Sequence, residues 1–410
     1  MAKRILLSFL GTGPIDNELR KTRAYKPANY KISNRVYEDK NFIADALIEH
    51  YNPDKTVIFG SVKSMWEELY LNQSKQIDEN YWEYLFSQVE KLGKDSPCES
   101  INLTQLNKEL GPKLKGRLIH YGYTEKQIWN NFKIISDELS RFKEESEIYF
   151  DITHSFRSIP IFALMSIIYS NLAIGKNFSI KGVFYGMLEM SKEMVTDDGK
   201  EICPVVDLSS LVKMQDWVMS VNNFKTSGNG KELANLLAKE RQDTGTVMAN
   251  LSNSISLNFT QAAEDAMDKF LQYENHKFSD PAKMAITPIM NKVKELKRAE
   301  SHAEFQLNMA EWHASNMNYG NAYITLIEAM IRHGADKQPD GFSLNTESNQ
   351  EIAKNYWMNN AERSKLWNNV NKHRKRTSHP NMRTSTSDVK QAIENLPILL
   401  EQVKSEIKPN

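Results

Sequence analysis

Residues suited to chemistry gather in two places. The first is Glu147 to Pro160, where an apolar run from Ile148 to Ile152 breaks into Thr153, His154 and Ser155, with Arg157 close behind. Two hydroxyls, an imidazole and a guanidinium at the start of a helix can hold an anion, because the first N–H groups of a helix are unpaired and sit at the positive end of its dipole. Taken alone, the turn is more simply explained as a polar cap ahead of a core helix, with a buried, hydrogen-bonded histidine. The second place is the basic run Asn371 to Pro380, in which Arg374 and His379 lie five residues apart at the end of a helix expected over Ala361 to Val370. A solvated basic helix end is the ordinary account of such a run. The two side chains can face one cleft if the helix ends or loosens between them.

An arginine and a histidine are enough for RNA cleavage without a metal. RNA supplies the nucleophile, its ribose 2′-hydroxyl. A histidine that titrates near neutrality can take that proton or protonate the leaving 5′-oxygen. The arginine holds the phosphate and stabilises the charge that builds on it. One histidine cannot make both transfers at once, so the scheme calls for a second copy across a twofold axis. Glu328, on a helix that begins near Asn318, is placed to orient Arg374, although an ordinary surface carboxylate is an equal reading. No metal site is expected: His302 and His313 have no Cys or acidic partner at ligand spacing, and His333 and His373 read as cations favoured at helix ends.

The elements that must position these residues alternate at first between strand and helix. Arg4 to Leu10 reads as a strand ending in Gly11-Thr12-Gly13-Pro14, a turn at which backbone can approach a phosphate. A third glycine is missing, with Asp16 in its place, so a dinucleotide fingerprint is not formed. Strands or hairpin arms are expected at Asn29–Tyr37, Lys55–Phe59, Glu99–Leu103, Ile148–Ile152, Lys181–Leu188 and Ile202–Val206, and Gly60-Ser61 forms another turn. Helices are expected between them, the clearest over Glu125 to Phe142, where Ile128, Phe132, Ile135 and Leu139 repeat at helical spacing. The pattern is that of a doubly wound α/β domain with a ligand edge built from Gly11–Gly13, Gly60–Ser61 and Thr153–Arg157. Asp151 ends a buried strand and is expected to cap or pair locally. Beyond Asp207 no strand is expected and the chain reads as all-helical.

With 52 basic and 52 acidic side chains in 410 residues, no global field draws the chain to nucleic acid or membrane. Two distant cysteines, Cys98 and Cys203, suggest a reducing compartment. No apolar run is long enough to span a bilayer, and a cytoplasmic protein is expected.

Asp151-Ile-Thr-His-Ser-Phe-Arg resembles the Asp-x-Thr-His-Gly-Phe-Arg signature of CRISPR-associated CARF proteins, with Ser155 in place of the usual glycine. Arg374-x-x-x-x-His379 resembles the catalytic motif of HEPN ribonucleases, with Lys375 where many members carry asparagine. Their order is that of the CARF–HEPN effectors of type III CRISPR systems. The resemblance implies a Rossmann-like CARF domain with a parallel-rich sheet over residues 1–206, a connecting helix and linker over 207–230, and a helical HEPN domain over 231–410. It implies a homodimer, or a higher oligomer, whose paired CARF domains bind a cyclic oligoadenylate and thereby activate metal-independent cleavage of single-stranded RNA. Gly11, Thr12, Gly13, Thr153, His154, Ser155 and Arg157 would bind the activator, with Gly60 and Ser61 on the same edge. Arg374 and His379 would be catalytic, supported by Glu328 and Lys375. Some members also cleave their activator, and here Thr153 or His154 would be the candidates. Two other readings stay open: a non-catalytic nucleotide sensor with a helical docking domain, and a nucleotide-dependent oxidoreductase argued from Gly11-Thr12-Gly13.

Overall fold

The computed structural model describes residues 2–12, 27–142, 145–154, 159–173, 178–196, 198–379 and 384–408, with 171–173 described by their backbone alone. Gly13, Ser155, Arg157 and Pro380, named above, lie outside the described residues. The chain divides into two compact units, Met1–Val212 and Lys213–Asn410, and the division falls inside one helix, Ser209–Ser227.

The first unit is built on an eight-stranded sheet. Its strands are β1 (Lys3–Leu10), β2 (Ala28–Ile32), β3 (Arg35–Lys40), β4 (Lys55–Gly60), β5 (Leu114–Leu118), β6 (Ser146–Asp151), β7 (Phe178–Gly186) and β8 (Cys203–Asp207). Their order across the sheet is β3-β2-β8-β7-β6-β1-β4-β5. From β7 to β5 every neighbouring pair is parallel, whereas β8 runs antiparallel to β7. The central strands are apolar on both faces because helices cover both. Ile5, Leu7 and Phe9 of β1 join Ile148 and Phe150 of β6 in one core with Ile135, Leu139, Ile159, Ala163 and Ile167 from the helices Glu125–Ser140 and Ile159–Ala173. The other face buries Leu6, Ile43, Leu47 and Phe184. Parallel connection brings the carboxyl ends of β1, β4 and β6 to one edge, as expected of a doubly wound sheet.

Three expectations need correction. Glu99–Leu103 is not a strand: Cys98–Ser100 is one 3₁₀ turn, followed by the short helix Thr104–Leu110. The outer parallel strand is β5, whose Leu-Lys-Gly-Arg-Leu composition hides it. It owes its place to pairing with β4 and to Lys115, whose ammonium meets the buried Glu138 carboxylate at 2.8 Å. The helix expected over Ala361–Val370 runs on through the basic residues to Ser378.

The second unit is helical and has two cores. One gathers Phe224, Leu237, Met248, Met267, Phe270 and Ile289; the other gathers Tyr323, Leu326, Trp357, Trp367, Val370 and Leu400. The helix His302–Ser315 serves both: Phe305, Met309 and Trp312 face the first, and Ala303, Leu307 and Ala310 the second. Those sets repeat at three- and four-residue intervals, so one helix presents two apolar stripes. Among the described residues no helix is long and apolar enough to cross a membrane.

Candidate functional site

At the carboxyl edge of the sheet lies a cavity of about 680 Å³. Gly11 and Thr12 after β1, Gly60 and Ser61 after β4, and Thr153 and His154 after β6 all line it. The fold thus brings together six of the nine residues expected to bind a ligand there. Its floor is apolar, with Phe9, Phe59 and Ile159, and a volume of this size suits a small organic ligand.

The β6 turn is fixed from below by Asp151. This carboxyl is fully buried and accepts from the Ser8 hydroxyl at 2.5 Å and from the Thr153 N–H at 2.9 Å. It therefore does pair locally, and it links β1 to the turn. Burial pushes its pKa above the ordinary carboxylate value, opposed by His154 and by these hydrogen bonds. Burial likewise pushes the His154 imidazole below its ordinary value, opposed by the Asp151 charge. A neutral imidazole can offer either a donor or an acceptor to a ligand. Thr153 Oγ accepts the Gly186 N–H at 2.9 Å, and its own hydroxyl is hydrogen-bonded to the Asp151 carboxylate.

The β4 turn has a different use from the one its glycine suggests. A Cβ on Gly60 would stand 2.6 Å from the Trp66 ring and 2.9 Å from Ser64. Glycine is needed there so that the buried indole can close on the strand. The Ser61 N–H donates to Ser64 Oγ at 2.8 Å, the Ser64 hydroxyl donates to Leu10 O at 2.6 Å, and Trp66 Nε1 donates to Ser61 O at 2.8 Å. These bonds tie the ends of β1 and β4 into a rigid rim. Gly60 and Ser61 shape the cavity more than they reach into it.

Sequence reasoning missed a further wall. The connection from β7 to β8 contributes Leu188, Ser191, Lys192 and Glu201 to the lining, and Cys203 at the start of β8 follows. No motif marks this segment. Its only advance signal is that it joins two strands of the ligand-bearing sheet. Burial pushes the Cys203 thiol up to about 12, so it takes no part as a thiolate.

In the second unit, Arg374 is half-buried on the helix Ala361–Ser378, and its Nε is buried without a hydrogen-bond partner among the described residues. His379 follows at the C-cap, exposed and extended, its N–H donating to Lys375 O at 3.0 Å. The helix does end between the two residues, immediately before the histidine. Glu328 lies on the helix Tyr319–Asp336, which packs against the basic helix. Its carboxyl reaches solvent but is crowded by protein, which raises its pKa, while the Arg374 charge pulls it back down. The two interact through space without forming an ion pair. Lys375 is exposed. Arg376 is held by Asp388 at 2.6 Å, which fixes the start of the last helix, Thr386–Ile407.

His333 and His373 are packed into the interior and are not solvated at helix ends. His373 is buried, stacked on Tyr323 with centroids 5.2 Å apart, and 3.3 Å from the Asn395 amide; burial and the charges of Lys372 and Arg376 lower its pKa. His333 is buried between Tyr356 and Trp357, and its pKa is lowered chiefly by burial. Packing decided both positions, and a charge pattern along one helix cannot reveal it.

A model of the CARF domain of the CRISPR system endoribonuclease Csx1 matches residues 5–189, the stretch that holds the whole cavity edge of β1, β4 and β6. This stretch is a CARF domain of the kind found in CRISPR-associated proteins. Within this domain Thr153 and His154 of the Asp151-Ile-Thr-His turn line the cavity. A model of the second domain of the CRISPR-associated protein MJ1674 matches residues 213–301, which carry most of the first helical core. MJ1674 of Methanocaldococcus jannaschii is 30% identical over 346 residues, 80% of this chain and 53% of that protein. The chain therefore spans about half the length of this relative. Among solved structures, Enterococcus italicus Csm6 bound to cyclic hexa-2′-fluoro-hexa-dAMP is similar with a TM-score of 0.37 and 10% identity, over 100% of this chain and 96% of that one.

Proposed function

We propose that this CARF protein is an endoribonuclease of type III CRISPR antiviral defence, activated by a cyclic oligoadenylate and cutting single-stranded RNA without a metal. The observation that carries the reading is the meeting of Gly11, Thr12, Thr153 and His154 in one cavity of a CARF domain. The matched CARF model is named for an endoribonuclease, which supports the same activity here. The ligand's phosphates would meet backbone N–H groups of these turns, and its bases the apolar floor.

In the helical unit Arg374 would hold the scissile phosphate, and its unpartnered Nε supports that role. His379 would transfer the proton, Glu328 would orient Arg374, and Lys375 would steer RNA. Two copies would supply the two histidines. A feature of the CARF domain supports a homodimer: the helix Ile159–Ala173 has no charged residue yet exposes Ile161, Met165 and Tyr169, beside Trp129 on the neighbouring helix. An uncharged helix apolar all round is ordinarily buried. Coupling is then a population shift, the ligand favouring the arrangement that aligns both Arg374–His379 pairs.

The test is cleavage by Arg374→Ala and His379→Ala beside the parent, with activator binding measured in parallel. Both variants should bind activator and cut no RNA, and parent products should end in 2′,3′-cyclic phosphate in the presence of a chelator. Cleavage at the parent rate by either variant overturns the active-site assignment. Activator binding with no cleavage by the parent would support the non-catalytic sensor instead.

A further inference from the structure

The described residues of the connection from β7 to β8, 187–196 and 198–202, form a wall of the cavity that the signature turns do not include. It is built, not loose. The Met187 N–H donates to Pro204 O at 2.9 Å, a 3₁₀ turn follows over Leu188–Met190, and Val195 bridges Glu201 in a small hairpin closed by Ile202 N–H to Met194 O at 2.8 Å. Two bonds anchor it to the β2–β3 hairpin: the Lys200 ammonium meets Glu38 at 2.9 Å, and the Asn29 amide donates to Glu201 O at 3.0 Å. The segment is thus held in place before any ligand arrives.

Its charges are divided unequally. Lys200 is neutralised by Glu38, and the Glu189 carboxylate accepts from the Tyr185 hydroxyl at 3.0 Å. Lys192 lines the cavity and makes no ion pair among the described residues. It is also the only Lys or Arg among the described residues that line the cavity. The adjoining Ser191 adds a hydroxyl. A cation on a pre-anchored wall, with Glu201 on the same wall and an apolar floor and the polar turns after β1 and β6 in the same cavity, has the layout of a phosphodiester site: floor for a base, cation for the backbone.

We propose that this wall is part of the ligand site and that Lys192 is its phosphate-binding cation, an inference that rests on the cyclic-oligoadenylate reading above. The wall then grips the ligand beside the Thr153–His154 turn, to which the end of β7 is bonded through Gly186, so recognition does not reside in the signature turns alone.

The experiment measures binding of cyclic tetra- and hexaadenylate to the full chain as a function of salt, for the parent and for Lys192→Glu, Lys192→Ala and Lys192→Arg. Lys91→Glu, on the helix Glu79–Lys91, controls for net charge. Removing one charge-assisted hydrogen bond should weaken binding by about tenfold or more in Lys192→Ala, and further in Lys192→Glu. The slope of log affinity against log salt should become shallower by about 0.7 for each phosphate left without its cation. Lys192→Arg should keep both affinity and slope, and Lys91→Glu should leave them unchanged. Parent-like affinity and slope in Lys192→Glu would overturn the assignment while leaving the nucleotide reading intact. A parent that binds none of these rings would overturn the nucleotide reading, and this inference with it.

Discussion

Removing the Asp151 carboxyl should loosen the cavity from beneath. In Asp151→Ala three donors lose their acceptor, the Ser8 hydroxyl at 2.5 Å, the Thr153 N–H at 2.9 Å and the Thr153 hydroxyl. An orphaned buried donor costs about 1–3 kcal/mol, and relief of the carboxyl's own desolvation offsets part of the sum, so about 2–4 kcal/mol should be lost. Asp151→Asn should lose less than about 1 kcal/mol. Its carbonyl can still accept from Thr153, and its amide can donate to a Ser8 hydroxyl turned round. The assay is hydrogen exchange of the Thr153 and Gly186 amides in the full chain, which reports the turn itself. Protection should fall about 30-fold to 10³-fold in the alanine variant and little in the asparagine variant. Burial raises the Asp151 pKa, so this group favours the fold below the ordinary carboxylate value, a contribution lost as pH rises through the raised folded value. That slope should be present in the difference between parent and Asp151→Asn. An alanine variant as well protected as the parent, or an asparagine variant as damaged as the alanine one, would refute the reasoning.

Three other outcomes follow from the packing. Gly60→Ala should cost about 1–3 kcal/mol in thermal or urea unfolding, because the new methyl would stand 2.6 Å from the Trp66 ring; an unchanged midpoint would show that the indole moves freely. His313 is buried, and desolvation lowers its pKa from 6.5 to about 4, which leaves the imidazole neutral in the fold. Stability should therefore drop as pH falls from the unfolded value toward the folded one, by about 3 kcal/mol in all, and His313→Phe should flatten that drop. Glu328→Gln should slow RNA cleavage without weakening activator binding; equal loss of both would point to a folding defect.

Much of the CARF domain was legible because its central strands are buried on both faces and so read as apolar runs. Ile5–Leu10 and Ile148–Asp151 could be found without a partner in view. β5 could not, since a strand of Leu-Lys-Gly-Arg-Leu becomes a strand only by pairing with β4. The helix Gln242–Ser256 was likewise hidden in a polar, threonine- and serine-rich stretch. Met248, Leu251 and Ile255 hold it in the first helical core, and Gly245 lets it close on Ala238, where a Cβ would meet the alanine methyl at 2.6 Å. Polar residues set the signature turn apart, so Thr153 and His154 stood out, whereas Lys192 sits in a loop of ordinary composition and gains meaning only from the cavity it lines. The burial of His333 and His373, and the packing demand for glycine at Gly60, could not be read for one reason: what Tyr356, Tyr323 and Trp66 occupy is a fact of packing, absent from local sequence.

The most direct test is cleavage of a fluorogenic single-stranded RNA by the full chain against cyclic oligoadenylates of several ring sizes. The account predicts strong cleavage with one ring size, little without it, and none from His379→Ala under any condition. Cleavage indifferent to every ring, or persisting in His379→Ala, would contradict it.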